Sequence, residues 1–202
     1  MSSSQSKPRQ TGTEVYDRAV ELMAARGYHG TSLRTVAGAV GVQMSSLYYY
    51  FPSKQALLME IMRRTLTDII AEVKTAIADA EGPAAKFEAG IRAHVEFHAN
   101  RRLEILITDS ELRALEPKNR PKIVKLRDRY GKIFIEILED GCDQGVFDVP
   151  DTRVAMSALL LMTSDVVTWY HPEGRLTIPE IADQYVRLCL HGVGAHQAVQ
   201  TV

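Results

Sequence analysis

Residues Leu33 to Lys54 read "LRTVAGAVGVQMSSLYYYFPSK", and this stretch decides how the chain folds. Leu33, Val36, Ala37 and Val40 recur at helical spacing, and Gly41 stops the pattern. Thr31 or Ser32 can cap that helix at its start. A short helix around Gln43–Tyr50 follows and ends at Pro52. A helix turns by about 100° per residue, so three consecutive tyrosines cannot share one face. Placing Leu47 inward puts Phe51 and Tyr50 beside it and Met44 near the edge. Ser45, Ser46, Tyr48 and Tyr49 then point outward, a face rich in hydroxyls and free of charge. Two helices joined by a tight glycine turn make a helix-turn-helix. Its outward face suits the DNA major groove: serines allow close approach to base edges, and tyrosine hydroxyls donate to phosphates. Lys54, opening the next helix, brings a cation and a helix N-terminus to a phosphate, with Arg34 in reach of the same backbone. Exposed tyrosines also mark protein interfaces, so the pattern alone leaves a protein-interaction module open.

Helical periodicity extends on both sides. Val15, Ala19, Leu22 and Met23 form a first helix that Gly27 closes. Ser53 can cap a long helix running to Gly82-Pro83. Further helices are predicted over about Ala84–Asn100, Arg102–Leu115, Pro121–Gln144 and Asp151–Tyr170. A last one opens at the capping box "TIPE", Thr177–Glu180, and runs to about Leu190. No stretch alternates as a strand does. The expected fold is all-α with about nine helices. A flexible arm is expected over residues 1–12, a helix-turn-helix domain over 13–58, and a ligand-binding and dimerisation domain over 59–202.

The 202 residues are 46% apolar and 24% charged, enough for a packed core. The net charge of −1 divides unevenly, +4 over residues 1–64 and −5 over the rest. A basic first third agrees with a polyanionic partner. Cys142 and Cys189 stand alone and read as buried thiols of a reducing compartment. No membrane span and no signal peptide is read, so a cytoplasmic location is expected. His94 and His98 are spaced as metal ligands on a helix, but no third ligand accompanies them; no metal site is expected. No GxSxG, P-loop or HExxH occurs, and "GVGAHQ" follows a helix rather than a strand, so an enzyme is not expected.

Residues 13–62, through the stretch "AARGYHGTSLRTVAGAVGVQMSSLYYYFPSKQALLMEIM", resemble the DNA-binding domain of the TetR family of bacterial transcriptional repressors. The resemblance implies an all-α homodimer that binds a palindromic operator on double-stranded DNA and is released by a small ligand. Carried over position by position, it implies DNA contacts at Ser32, Arg34, Gln43, Met44, Ser45, Ser46, Tyr48, Tyr49, Tyr50 and Lys54. Tyr50 stands where the family usually has His. Met44 cannot make a bidentate hydrogen bond to a base, so DNA shape carries more of the specificity.

Regulation requires a mostly apolar pocket between the later helices. Its candidate walls are Phe97, Leu103, Ile107, Glu111, Phe134, Met162, Asp165, Val166 and Trp169. Val166 to Gly192, "VVTWYHPEGRLTIPEIADQYVRLCLHG", resembles the C-terminal region of family members that answer to acyl-CoA thioesters and govern fatty-acid or steroid catabolism. That likeness implies an acyl-CoA effector with Trp169 in the pocket wall. Thr168 and His171 stand where the related repressors carry arginines. Arg101, Arg102 and the cations between Lys118 and Arg129 are candidates for the coenzyme phosphates. The resemblance implies that the last two helices form the dimer interface as a four-helix bundle; Leu159, Leu160, Met162, Ile181, Tyr185, Leu188 and Cys189 offer apolar surface for both core and partner.

Overall fold

The computed structural model describes residues 6–194, with side chains from residue 11 onward. Every regular element among them is helical. They are α1 (Ser6–Gly30), α2 (Leu33–Val40), α3 (Met44–Tyr50), α4 (Lys54–Ala78), α5 (Gly82–Asn100) and α6 (Arg102–Ser110). A 3-10 turn (Glu111–Ala114) leads to α7 (Arg120–Asp143), α8 (Thr152–Ser164), α9 (Val166–Trp169) and α10 (Ile178–Gly192). Of the arm expected over 1–12, residues 1–5 lie outside the described residues and 6–12 belong to α1.

Local chemistry sets most boundaries. Ser32 caps α2, its hydroxyl accepting from the Thr35 N–H at 3.0 Å. Gly41, left-handed at φ 74°, closes it, and the Val42 N–H returns to the Ala37 carbonyl. Ser53 accepts from the Ala56 N–H and starts α4. Asp151 takes the Arg153 and Val154 N–H groups at the start of α8. The capping box forms at α10: the Thr177 N–H donates to Glu180 Oε2 at 2.8 Å, and the Glu180 N–H donates to Thr177 Oγ1.

Two predicted helices differ. The sixth stops at Ser110 and tightens into the 3-10 turn. The eighth is interrupted at Asp165, whose carboxylate and carbonyl both take the Thr168 hydroxyl at the start of α9. The first is broken at Gly27 as expected, with φ 71° and ψ 167°, and helical backbone resumes to Gly30. After α7 the chain folds back so closely that a Cβ on Gly141 would lie 2.0 Å from the Phe147 ring, which only glycine permits. Cys189 is buried as expected, and burial pushes its thiol up to about 12; Cys142 is only half-buried.

The described chain groups into two compact units. The first holds the chain up to Thr65 together with Leu103–Lys125. Here α1, α2 and α3 pack on one another, and the 3-10 turn packs on α1. Val15, Met23, Val36, Leu47, Leu57 and Ile61 are buried in it. The second holds Leu66–Arg102 and the chain from Leu126. Helix α5 is its centre, packed by α8, α9 and α10.

Candidate nucleic-acid interface

Leu47 fixes the rotation of α3. It is fully buried, and burying one such side chain contributes roughly 1.5–3 kcal/mol. Phe51, one turn on, is buried beside it, and its N–H closes α3 on the Leu47 carbonyl. The opposite face therefore turns to solvent. Ser45 and Ser46 are exposed, Tyr48 is 49% exposed and Tyr49 81%. Gln43 precedes α3 as an exposed residue and spends no side-chain bond on capping. Met44 is half-buried at the edge.

Tyr50 is half-buried, with its ring edge-on to Tyr49 at 5.1 Å. It also packs on Gly12, where an added Cβ would lie 3.0 Å from the ring. Arg34 is exposed on the first turn of α2. Ser32 is exposed too, but its hydroxyl is engaged by Thr35. All ten candidate DNA-contacting residues thus fall in the first unit.

Lys54 has surroundings that the sequence did not announce. Its Nζ sits 4.1 Å from the centroid of the Tyr28 ring. Burial lowers its pKa, and the Glu111 carboxylate acts in the opposite direction. Tyr28 and Gln55 have no short-range signal, because 27 residues separate them and only the fold brings them to a 2.7 Å hydrogen bond.

The nine candidate ligand-contacting residues do not fall in one unit. Leu103, Ile107 and Glu111 belong to the first, where the Tyr28 N–H donates to Glu111 at 2.9 Å. Phe97, Phe134, Met162, Asp165, Val166 and Trp169 belong to the second. There Phe97, Phe134 and Val166 are core, whereas Met162, Asp165 and Trp169 are exposed. Trp169 lines a recess of about 240 Å³ with Tyr170, His171, Gly174, Arg175, Leu176 and Ile181. Arg102 donates to the Val167 carbonyl, and Arg101 reaches Asp68 at 3.5 Å.

His94 and His98 are buried in a polar network that ties α5 to α7 and α8. His98 Nδ1–H donates to the His94 carbonyl at 2.7 Å, so its Nε2 accepts the Ser164 hydroxyl at 3.2 Å. His94 accepts from the Tyr130 hydroxyl at 2.5 Å, and its Nε2–H donates to Ser164 at 3.2 Å. Each ring nitrogen is engaged, and among the described residues no group of three or more His, Cys, Asp or Glu could hold a metal.

Burial holds both rings neutral, His98 down to about 4 and His94 well below its ordinary value. The unfolded chain takes up these protons near pH 6.5, so stability is complete above that pH. It declines as the pH falls toward about 4, where folded His98 itself protonates. Urea denaturation at about pH 5 should show on the order of 2 kcal/mol less stability from His98 than at about pH 7.5, with His94 acting in the same direction. An unchanged midpoint across that range would show that these rings are not held neutral.

Among the described residues, no helix is long and apolar enough to cross a membrane. The family described as bacterial regulatory proteins, tetR family, matches residues 15–61. The family described as tetracyclin repressor-like, C-terminal domain, matches residues 80–193. The HTH-type transcriptional repressor KstR2 of Rhodococcus jostii (strain RHA1) is 29% identical over 186 residues, 91% of each chain. A bacterial regulatory protein in the TetR family from Rhodococcus RHA1 superposes with a TM-score of 0.87 at 26% identity, covering 93% of this chain and 98% of that one. AibR, solved in complex with isovaleryl coenzyme A and operator DNA, gives 0.81 at 26% identity, covering 88% and 97%.

Proposed function

This chain belongs to the TetR family of bacterial regulatory proteins and is a DNA-binding transcriptional regulator, not an enzyme; we propose that it represses as a homodimer and is released from its operator by an acyl-CoA thioester. The observation that carries the DNA reading is the outward face of α3, where Ser45, Ser46, Tyr48 and Tyr49 are exposed to solvent. In this reading these four enter the major groove, Gln43 reaches a base edge, and Arg34, Tyr50 and Lys54 meet phosphates. Met44 gives apolar contact, and Ser32 orients α2 while touching the backbone.

A helix this short reads only a few base pairs. Two-fold symmetry doubles the contact across half-sites about 34–36 Å apart. An exposed apolar stripe supports such a dimer. Val154, Leu161 and Met162 on α8 are 65%, 76% and 39% exposed, and Leu188 on α10 is 56% exposed. Ile181 and Cys189 are buried within the chain and serve its own core.

The effector class is supported by AibR, whose solved complex holds isovaleryl coenzyme A. Trp169, beside His171 and Arg175, gives an aromatic surface next to cationic or hydrogen-bonding groups. Anisotropy of a preformed protein–operator complex, titrated with acyl-CoA thioesters of increasing chain length, tests this. The expected result is release by a thioester, with the matching free acid and coenzyme A alone far weaker. Equal release by the free acid, with nothing added by coenzyme A, would assign the effector to another hydrophobic class.

A further inference from the structure

The first unit contains a cluster built around Tyr28. Just past the break at Gly27, the Tyr28 N–H donates to Glu111 Oε1 at 2.9 Å. The Tyr28 ring is buried, and its hydroxyl accepts from Gln55 Nε2 at 2.7 Å. Gln55 is fixed in turn, donating to the Ala114 carbonyl at 2.7 Å and accepting the Glu116 N–H at 3.0 Å. The ring is thus held at both ends, by its own backbone and by its hydroxyl. The Lys54 ammonium rests 4.1 Å from its centroid, where the ring quadrupole attracts a cation. The Glu111 carboxylate acts on the same ammonium.

An ammonium seated on an aromatic ring and attracted by the carboxylate that holds that ring's own backbone N–H is not fully available to a third partner. A DNA phosphate approaching the start of α4 must draw it away from both. We propose that Glu111 is a positioning residue for DNA binding: its carboxylate holds the Lys54 ammonium on the Tyr28 ring and competes with a DNA phosphate for it. The inference rests on the reading of Lys54 as a phosphate contact. It gives Glu111 a role in tuning DNA affinity rather than in holding the effector.

Glu111→Gln isolates the charge, because the amide oxygen can still accept the Tyr28 N–H. DNA affinity is measured by anisotropy over a range of salt for the wild type, Glu111→Gln, Lys54→Ala and the double variant, with thermal melting alongside. Glu111→Gln should tighten binding by roughly 3–10-fold at low salt and steepen the salt dependence by up to about one unit of log–log slope. In the Lys54→Ala background the same change should have no effect. A purely structural role would lower the melting temperature and weaken binding whether or not Lys54 is present, which overturns the proposal. So does tightening of equal size without Lys54, which marks a general field effect. If Lys54→Ala alone changes neither affinity nor slope, the phosphate contact itself fails and the inference falls with it.

Discussion

Ser46→Asp is expected to abolish operator binding, raising the Kd by about 100-fold or more, because like charges brought together at an interface cost several kcal/mol. Ser46 is exposed in the middle of α3, on the face opposite buried Leu47. In the proposed complex a carboxylate there would face the phosphate-lined groove. No interior contact is disturbed, so the melting temperature should stay within a few degrees, as for most surface substitutions. Gel shift and thermal melting on the same preparation decide the matter. Intact binding by a folded variant would remove α3 from the DNA interface.

Leu161→Glu should convert a dimer to monomers. Leu161, near the end of α8, is 76% exposed and is the most exposed of its large apolar side chains. In a monomer the substitution replaces a solvated apolar side chain by a solvated polar one and costs little. In a dimer it buries an unpaired carboxylate, a cost of several kcal/mol. Sedimentation velocity should show the halved mass. Operator affinity should fall by about 100-fold or more, since separate monomers lose the linkage between half-sites. A variant that remains dimeric would move the interface elsewhere on the surface.

The outward face of α3 was legible in the sequence because its determinants are local. A cap at Ser32, a glycine at position 41 and one buried leucine are enough to fix which way Ser45 and Tyr48 point. The later helices were legible as helices but not in their grouping. Leu103, Ile107 and Glu111 are apolar or acidic positions on a helical pattern, and periodicity does not tell which unit they join. The same holds for Ile181 and Cys189, whose apolar character fits a partner surface as well as the chain's own core. The interruption at Asp165 was not read as a helix break because apolar residues resume at Val166 after the polar triplet Thr163, Ser164 and Asp165. Contacts such as Tyr28 with Gln55 and Glu111 depend on long-range packing and leave no spacing to read.

The central claim is that α3 presents its hydroxyl face to DNA. It is tested most directly by selecting duplexes from a randomised pool with the wild-type protein and titrating the winner across ionic strength. The predicted result is an inverted repeat whose affinity falls steeply with salt, by a log–log slope of about −0.9 for each phosphate neutralised. Recovery of no common sequence, together with salt-insensitive binding, would contradict it.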